Sequence, residues 1–152
     1  MNKKLRGEQG VEEITITWHG PYKLQNIDKY YIVNKTGIYA IYRVFGNNET
    51  LQYIGKTERP FVNRINEHVK EWLHFYRGQL YVRFGVLSFE PGKKFSSKKL
   101  DDVESLLITY CKPPENTSNY KYYSGRENIK IVNNGRHGLI PQIISTDMLE
   151  WC

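Results

Sequence analysis

Cysteine is nearly absent from this chain. Cys111 and Cys152 are the only two in 152 residues, which excludes a disulfide scaffold and a cysteine-rich zinc module. No apolar run approaches the roughly 20 residues that a membrane helix requires, so no membrane association is expected. The opening MNKKLRGEQG carries charge with no apolar stretch behind it, so no secretory signal is expected either. There is no internal repeat and no low-complexity linker. Together these absences lead to the expectation of a single soluble, cytoplasmic domain. Acidic residues are in deficit, with 16 Asp and Glu against 22 Lys and Arg, giving a net charge of +6. That excess favours a polyanionic partner. Aromatic residues are plentiful, at 14% with 12 tyrosines, too many for a disordered chain.

Residues 11–18, VEEITITW, alternate Ile14, Ile16 and Trp18 with Thr15 and Thr17, the period of a half-buried strand. A turn follows at Gly20-Pro21, and KYYIV is a second β-like stretch ending in a turn at 34–37. The densest apolar run, GIYAIYRVF at 37–45, suits a central strand. GNNE then turns the chain into LQYIG at 51–55, which predicts an antiparallel hairpin. Pro60 stands where a first helical turn begins. Phe61, Val62, Ile65, Val69, Trp72, Leu73 and Tyr76 recur at helical spacing, predicting an amphipathic helix over about 59–76. A third strand is predicted over 79–89, and a basic loop leads to a helix over 100–111. Asp101 and Asp102 near its start complement the helix dipole, and Pro113-Pro114 ends it. The tail has two short apolar pieces, 129–132 and 139–144, with no clear secondary structure. The expectation is an α/β (α+β) fold with a small mixed central sheet of about three strands flanked by helices.

Three features point beyond packing. Tyr39 and Tyr53 lie on adjacent strands, where they can share one face. Both suit a core, but Gly55 after the second strand permits close approach of a backbone or ligand. Arg64 and His68, at i and i+4, share a helix face along the edge of the apolar stripe. Glu104 falls among Leu100, Val103, Leu106 and Leu107, and a carboxylate there requires a cation, a metal or a donor. Two roles fit Glu104 equally at this point: a structural ion pair, with Arg64 as its partner, or a metal ligand.

TGIYAIYR, LQYIGKTERPFVNRINEH and DVESLLITYCKPPEN, taken in order, closely resemble the GIY-YIG nuclease domain. The two motif tyrosines are fourteen apart, and Arg64, His68, Glu104 and Asn116 fill the following family positions. The resemblance covers 36–119. It implies a nuclease core there, with residues 1–35 an N-terminal extension whose β-strands pack on the core. Residues 120–152 are then a C-terminal extension within the same domain. It also implies an endonuclease that hydrolyses DNA phosphodiester bonds with one divalent ion, Mg²⁺ or Mn²⁺. The catalytic set carried over is Tyr39, Tyr53, Arg64, His68 and Glu104, with Glu104 as the metal ligand and Lys56 and Asn116 on the substrate side.

Elementary chemistry agrees with those roles. Mg²⁺ commonly takes one or two protein oxygens and leaves the rest to water and phosphate. An arginine fork neutralises charge on a pentacoordinate phosphorus. A free phenol costs roughly 4 kcal/mol to ionise at neutral pH, so Tyr39 as base for the attacking water needs cations nearby. Tyr53 then orients water or phosphate, and His68 either accepts a proton from Tyr39 or hydrogen-bonds the phosphate. Asn116 ties the loop after the helix to the sheet more readily than it meets substrate.

Lys93, Lys94, Lys98 and Lys99, with Lys121, Arg126, Lys130 and Arg136, supply charge for phosphates, and Tyr120, Tyr122 and Tyr123 offer rings for stacking or packing. Two alternatives remain: a catalytically silent nucleic-acid-binding module of the same fold, and an interaction domain in which Glu104 pairs with Arg64.

Overall fold

Ile14, Ile16 and Trp18 point into one side of a sheet and are fully or almost fully buried, while Glu13 and Thr17 are exposed and Thr15 is half-buried. That alternation forms β1 (Glu12–Lys23) in the computed structural model, which describes residues 10–117 and 122–149. The further strands are β2 (Gly37–Phe45), β3 (Asn48–Thr57), β4 (Gln79–Phe89), β5 (Ile129–Gly135) and β6 (Ile143–Ser145). They form one mixed sheet in the order β3-β2-β4-β1-β5-β6. Only the β1–β5 pairing is parallel; the other four are antiparallel.

The expected sheet of about three strands is therefore too small. β2, β3 and β4 are as anticipated, and β1 lies in the interior of the sheet, between β4 and β5. β5 and β6 come from the tail. Their signal in the sequence is weak because Asn133, fully buried, interrupts the apolar alternation of Ile129 and Ile131. Its amide is satisfied by Trp18 Nε1, which donates to Asn133 Oδ1 at 2.8 Å, and by the Pro141 carbonyl. KYYIV is not a strand. Its amides bond three residues back, from Val33 to Tyr30 and from Lys35 to Ile32, making a 3-10 turn over Tyr31–Asn34.

Among the described residues, two helices cover opposite faces. α1 (Phe61–Glu71) buries Phe61 and Ile65 with Tyr39, Ile41, Val82 and Phe84. It is shorter than predicted, since Trp72 leaves helical geometry at φ −152° and a 3-10 turn, Leu73–Phe75, follows. α2 (Ser97–Cys111) buries Leu100, Val103, Leu106 and Leu107 against Ile14, Ile16, Trp18 and Ala40. Its cap is Ser96, whose side chain accepts from the Lys99 amide at 3.1 Å.

Asp102 does more than complement the helix dipole. Its side chain is 1% exposed and meets Lys98 at 2.8 Å and Arg126 at 2.7 Å. Arg126 and Lys99 both reach Glu12, so the cluster ties α2 to β1 and to the segment before β5. Burial works against the Asp102 carboxylate, but the hydrogen bonds from Lys98 and Arg126 outweigh it and hold the group below the usual carboxylate range. Replacing Arg126 by Ala leaves a buried charge with Lys98 alone. We expect Arg126→Ala to lose about 2 kcal/mol in urea unfolding near neutral pH. Asp102 keeps its proton only below its lowered native value, so the difference should shrink as pH falls through and below the usual carboxylate range and the carboxylate becomes protonated in both variants.

Candidate active site

The hairpin register determines where the tyrosines go. Tyr39 stands opposite Gly55, and Ile41 opposite Tyr53. Residues paired across the strands share a face, so the two tyrosines are diagonal neighbours on the α1 side. Their rings lie 6.3 Å apart between centroids, 27° from parallel. The Tyr39 ring crosses directly over Gly55, and a Cβ on that glycine would collide with its Cζ and hydroxyl. Gly55 is thus required by the tyrosine opposite it.

α1 brings the next two groups. His68 is 3% exposed, and its Nε2 lies 2.7 Å from the Tyr39 hydroxyl. Its Nδ1 accepts from Trp72 Nε1–H at 2.8 Å. An indole nitrogen only donates, so neutral His68 carries its proton on Nε2 and gives that hydrogen bond to Tyr39. Burial, reinforced by the Arg64 charge, depresses His68 to about 4, which keeps the ring neutral at physiological pH. With Trp72 on its free lone pair, neutral His68 is a donor to the phenol in this arrangement. Trp72 reads as a core residue in the sequence; its spacing of four from His68 was the available signal.

Arg64 does not pair with Glu104. It donates to Glu67 at 2.9 Å, and Glu67 is also held by both terminal nitrogens of Arg59 at 2.8 Å. Those two arginines pull Glu67 down to about 2. Glu67 was not singled out in the sequence, although its i+3 spacing from Arg64 marks it as a partner. Arg64 also acts on Tyr39, where its charge and a hydrogen bond oppose the effect of burial. Burial wins, with help from the neighbouring Tyr53 and Glu104, and Tyr39 stands above the usual phenol range. Tyr53 is raised as well, by burial and then by the Glu104 charge.

Glu104 comes from α2 and is half-buried. No ion pair to it is formed among the described residues. Burial raises it to about 7, Asp101 adds to that, and the Lys56 and Arg64 charges and the Lys56 amide only partly offset it. Glu104 lines a cavity of about 350 Å³ with Lys56, Lys98, Asp101, Asp102, Ser105, Ser124 and Gly125, the two lysines being held by Asp101 and Asp102. The Ser105 hydroxyl is buried and has no partner among the described residues. A carboxylate short of positive charge beside an unpartnered hydroxyl is a donor set that fits one hard cation completed by water and phosphate oxygens. Among the described residues no three His, Cys, Asp or Glu side chains converge on a shared metal position.

Two residues assigned to the substrate side are occupied. Lys56 pairs with Asp101 at 2.8 Å. Asn116 is buried, with Oδ1 accepting from the Ile54 amide at 2.9 Å and Nδ2 donating to the Ile54 carbonyl at 2.8 Å. Its amide closes the free edge of β3 as a short strand would, so the tying role accounts for it and substrate contact does not. The basic surface is also smaller than its lysine count implies, because Lys98, Lys99, Arg126 and Lys130 are engaged by Asp102, Glu12 and Glu13. Tyr123 is half-buried and donates to the Arg126 carbonyl, whereas Tyr122 is 79% exposed. Tyr120 and Lys121 lie outside the described residues.

The elevated Glu104 makes a prediction about stability. A carboxyl raised from 4.5 to about 7 binds its proton more tightly in the folded state. Stability therefore falls as pH rises through that interval. Glu104→Gln should remove this loss. By equilibrium unfolding, the variant should match the wild type near pH 4 and exceed it by up to roughly 3 kcal/mol near pH 8. Equal stability at both pH values would contradict a carboxylate buried without a cation. Compared with known proteins, the chain matches no family model, no curated protein and no solved structure.

Proposed function

We propose that this protein is a divalent-metal-dependent endonuclease of the GIY-YIG type, cutting DNA phosphodiester bonds. The observation that carries the proposal is the electrostatic mismatch at one corner of the sheet. Two phenols, a guanidinium and a neutral imidazole converge there from β2, β3 and α1. Across from them Glu104, on α2, carries a negative charge that both tyrosines feel, that Lys56 and Arg64 offset only in part, and that no ion pair among the described residues neutralises.

Glu104, with Ser105 beside it, would hold the cation; when bound, that ion supplies a Lewis acid for a phosphoryl oxygen and positive charge next to the phenols. Arg64 contributes its fork to the developing charge on phosphorus. Tyr39 is assigned as the base. His68 and Arg64 both donate toward its oxygen, an arrangement that favours the phenolate over the phenol. Burial and the bare Glu104 charge oppose ionisation, so the resting group is a phenol and its anion is a minor species at neutral pH. Trp72 acts through His68 as a positioning residue, holding the imidazole in its donating tautomer. Tyr53, farther along the same face, is left to orient water or the scissile phosphate. A module that binds DNA without cutting it is the second reading, and the raised phenols are the observation in its favour.

Plasmid nicking separates the two. Wild-type protein with Mg²⁺ should convert supercoiled plasmid to nicked or linear product, faster as pH rises from about 6 to 9, because Glu104 and Tyr39 must both lose protons. Glu104→Ala and Arg64→Ala should each lower the rate on the order of 10²-fold or more. No cutting of any DNA form by folded wild-type protein would favour the binding-only reading. Full activity in Glu104→Ala would remove Glu104 from the site.

A further inference from the structure

A second concave site lies on the same face of the sheet as the tyrosines. It is a cleft of about 500 Å³ floored by β1 and β4 and walled by the turn that precedes β2. Thr17, His19 and Ser88 offer polar atoms on the floor, Tyr30 and Tyr31 form the wall, and Lys35 stands at the rim. Among the described residues its lining contains no carboxylate. Tyr22 and Tyr30 are stacked at 4.1 Å, and Tyr31 is 75% exposed with the Lys35 ammonium 5.5 Å above its ring. An outward-facing tyrosine this exposed contributes nothing to the core.

Continuous ring contacts join this cleft to the candidate active site. Tyr39 meets Phe61 edge-on at 6.4 Å, Phe61 contacts Phe84 at 4.8 Å, and Phe84 contacts Tyr22 at 6.2 Å. Phe84 is the register partner of Tyr39 on β4. Val86, two residues further along the same face of β4, lines the cleft.

We infer that this cleft is a nucleobase subsite that stacks an unpaired base of single-stranded DNA on Tyr31, with Lys35 taking the adjoining phosphate. The inference rests on the proposed nuclease reading and narrows its substrate to DNA with an unpaired nucleotide near the scissile bond. The chemistry favours such an occupant. Exposed aromatic faces bind any base by stacking, a neighbouring cation binds the backbone, and a lining without carboxylates does not repel phosphate. The floor hydroxyls and His19 offer hydrogen bonds to a base edge.

The test uses a thymidine hexanucleotide with the isotope-labelled full chain in EDTA, so cleavage does not enter. The expected result is that the oligonucleotide shifts the Thr17, Tyr31, Val86 and Ser88 amides. Tyr31→Ala should weaken binding about tenfold, and Tyr31→Phe, which keeps the ring, should bind as the wild type does. Because Tyr31 is exposed, neither change threatens the fold. Binding that leaves these amides unmoved and is indifferent to Tyr31→Ala would overturn the subsite, while plasmid cutting would still decide the nuclease reading. A Tyr31→Phe variant as weak as Tyr31→Ala would overturn stacking, and so would absence of binding at low salt.

Discussion

The Tyr39 ring rests on the bare backbone of Gly55, and the candidate site depends on that contact. A side chain at 55 would occupy the volume that the phenol fills. With the ring down on β3, the hydroxyl reaches the sheet edge, where α1 presents His68 and Arg64 and where the charge of Glu104 is felt. The register that opposes Tyr39 to Gly55 also places Tyr53 one step diagonally away. One backbone alignment thus sets the positions of both phenols, and the helices only need to deliver their charges to that corner.

The helices do so at a cost that the fold carries elsewhere. Glu104 is left half-buried without an ion pair among the described residues, while the two neighbouring carboxylates of α2 are paired, Asp101 by Lys56 and Asp102 by Lys98 and Arg126. Structural ion pairing therefore accounts for Asp101 and Asp102 and leaves Glu104 unexplained by packing. The same division holds on α1, where Glu67 is saturated by Arg59 and Arg64 and His68 is fixed by Trp72. An imidazole already receiving a hydrogen bond on one nitrogen has a single tautomer available to it when neutral, which is how a core tryptophan acquires influence over a phenol it does not touch.

Local patterns made much of this legible in the sequence. The alternation in β1, the apolar density of β2, the hairpin turn and the stripe on α1 are short-range signals, and each corresponds to an element of the structure. The Tyr39–Tyr53 pair and the position of Glu104 followed from the periods of strand and helix. What was missed is long-range or polar. β5 joins the sheet through parallel pairing to a strand more than a hundred residues earlier, with a buried asparagine where an apolar residue was expected. The 3-10 turns around Tyr31 carry strand-forming residues, and tertiary burial of Val33 overrides that preference. Whether Arg64 would choose Glu104 or Glu67 was undecidable without the helix in place, and so was the tautomer of His68.

The central claim is that Glu104 holds a cation beside the two phenols, and a paramagnetic ion addresses it without requiring turnover. Substoichiometric Mn²⁺ added to isotope-labelled protein near pH 8 should selectively broaden the amide resonances of Glu104, Ser105 and Lys56 and those around Tyr39 and Tyr53. The same titration on Glu104→Gln should leave them sharp. Broadening centred on other carboxylates, or equal broadening in the variant, would contradict a cation site at Glu104.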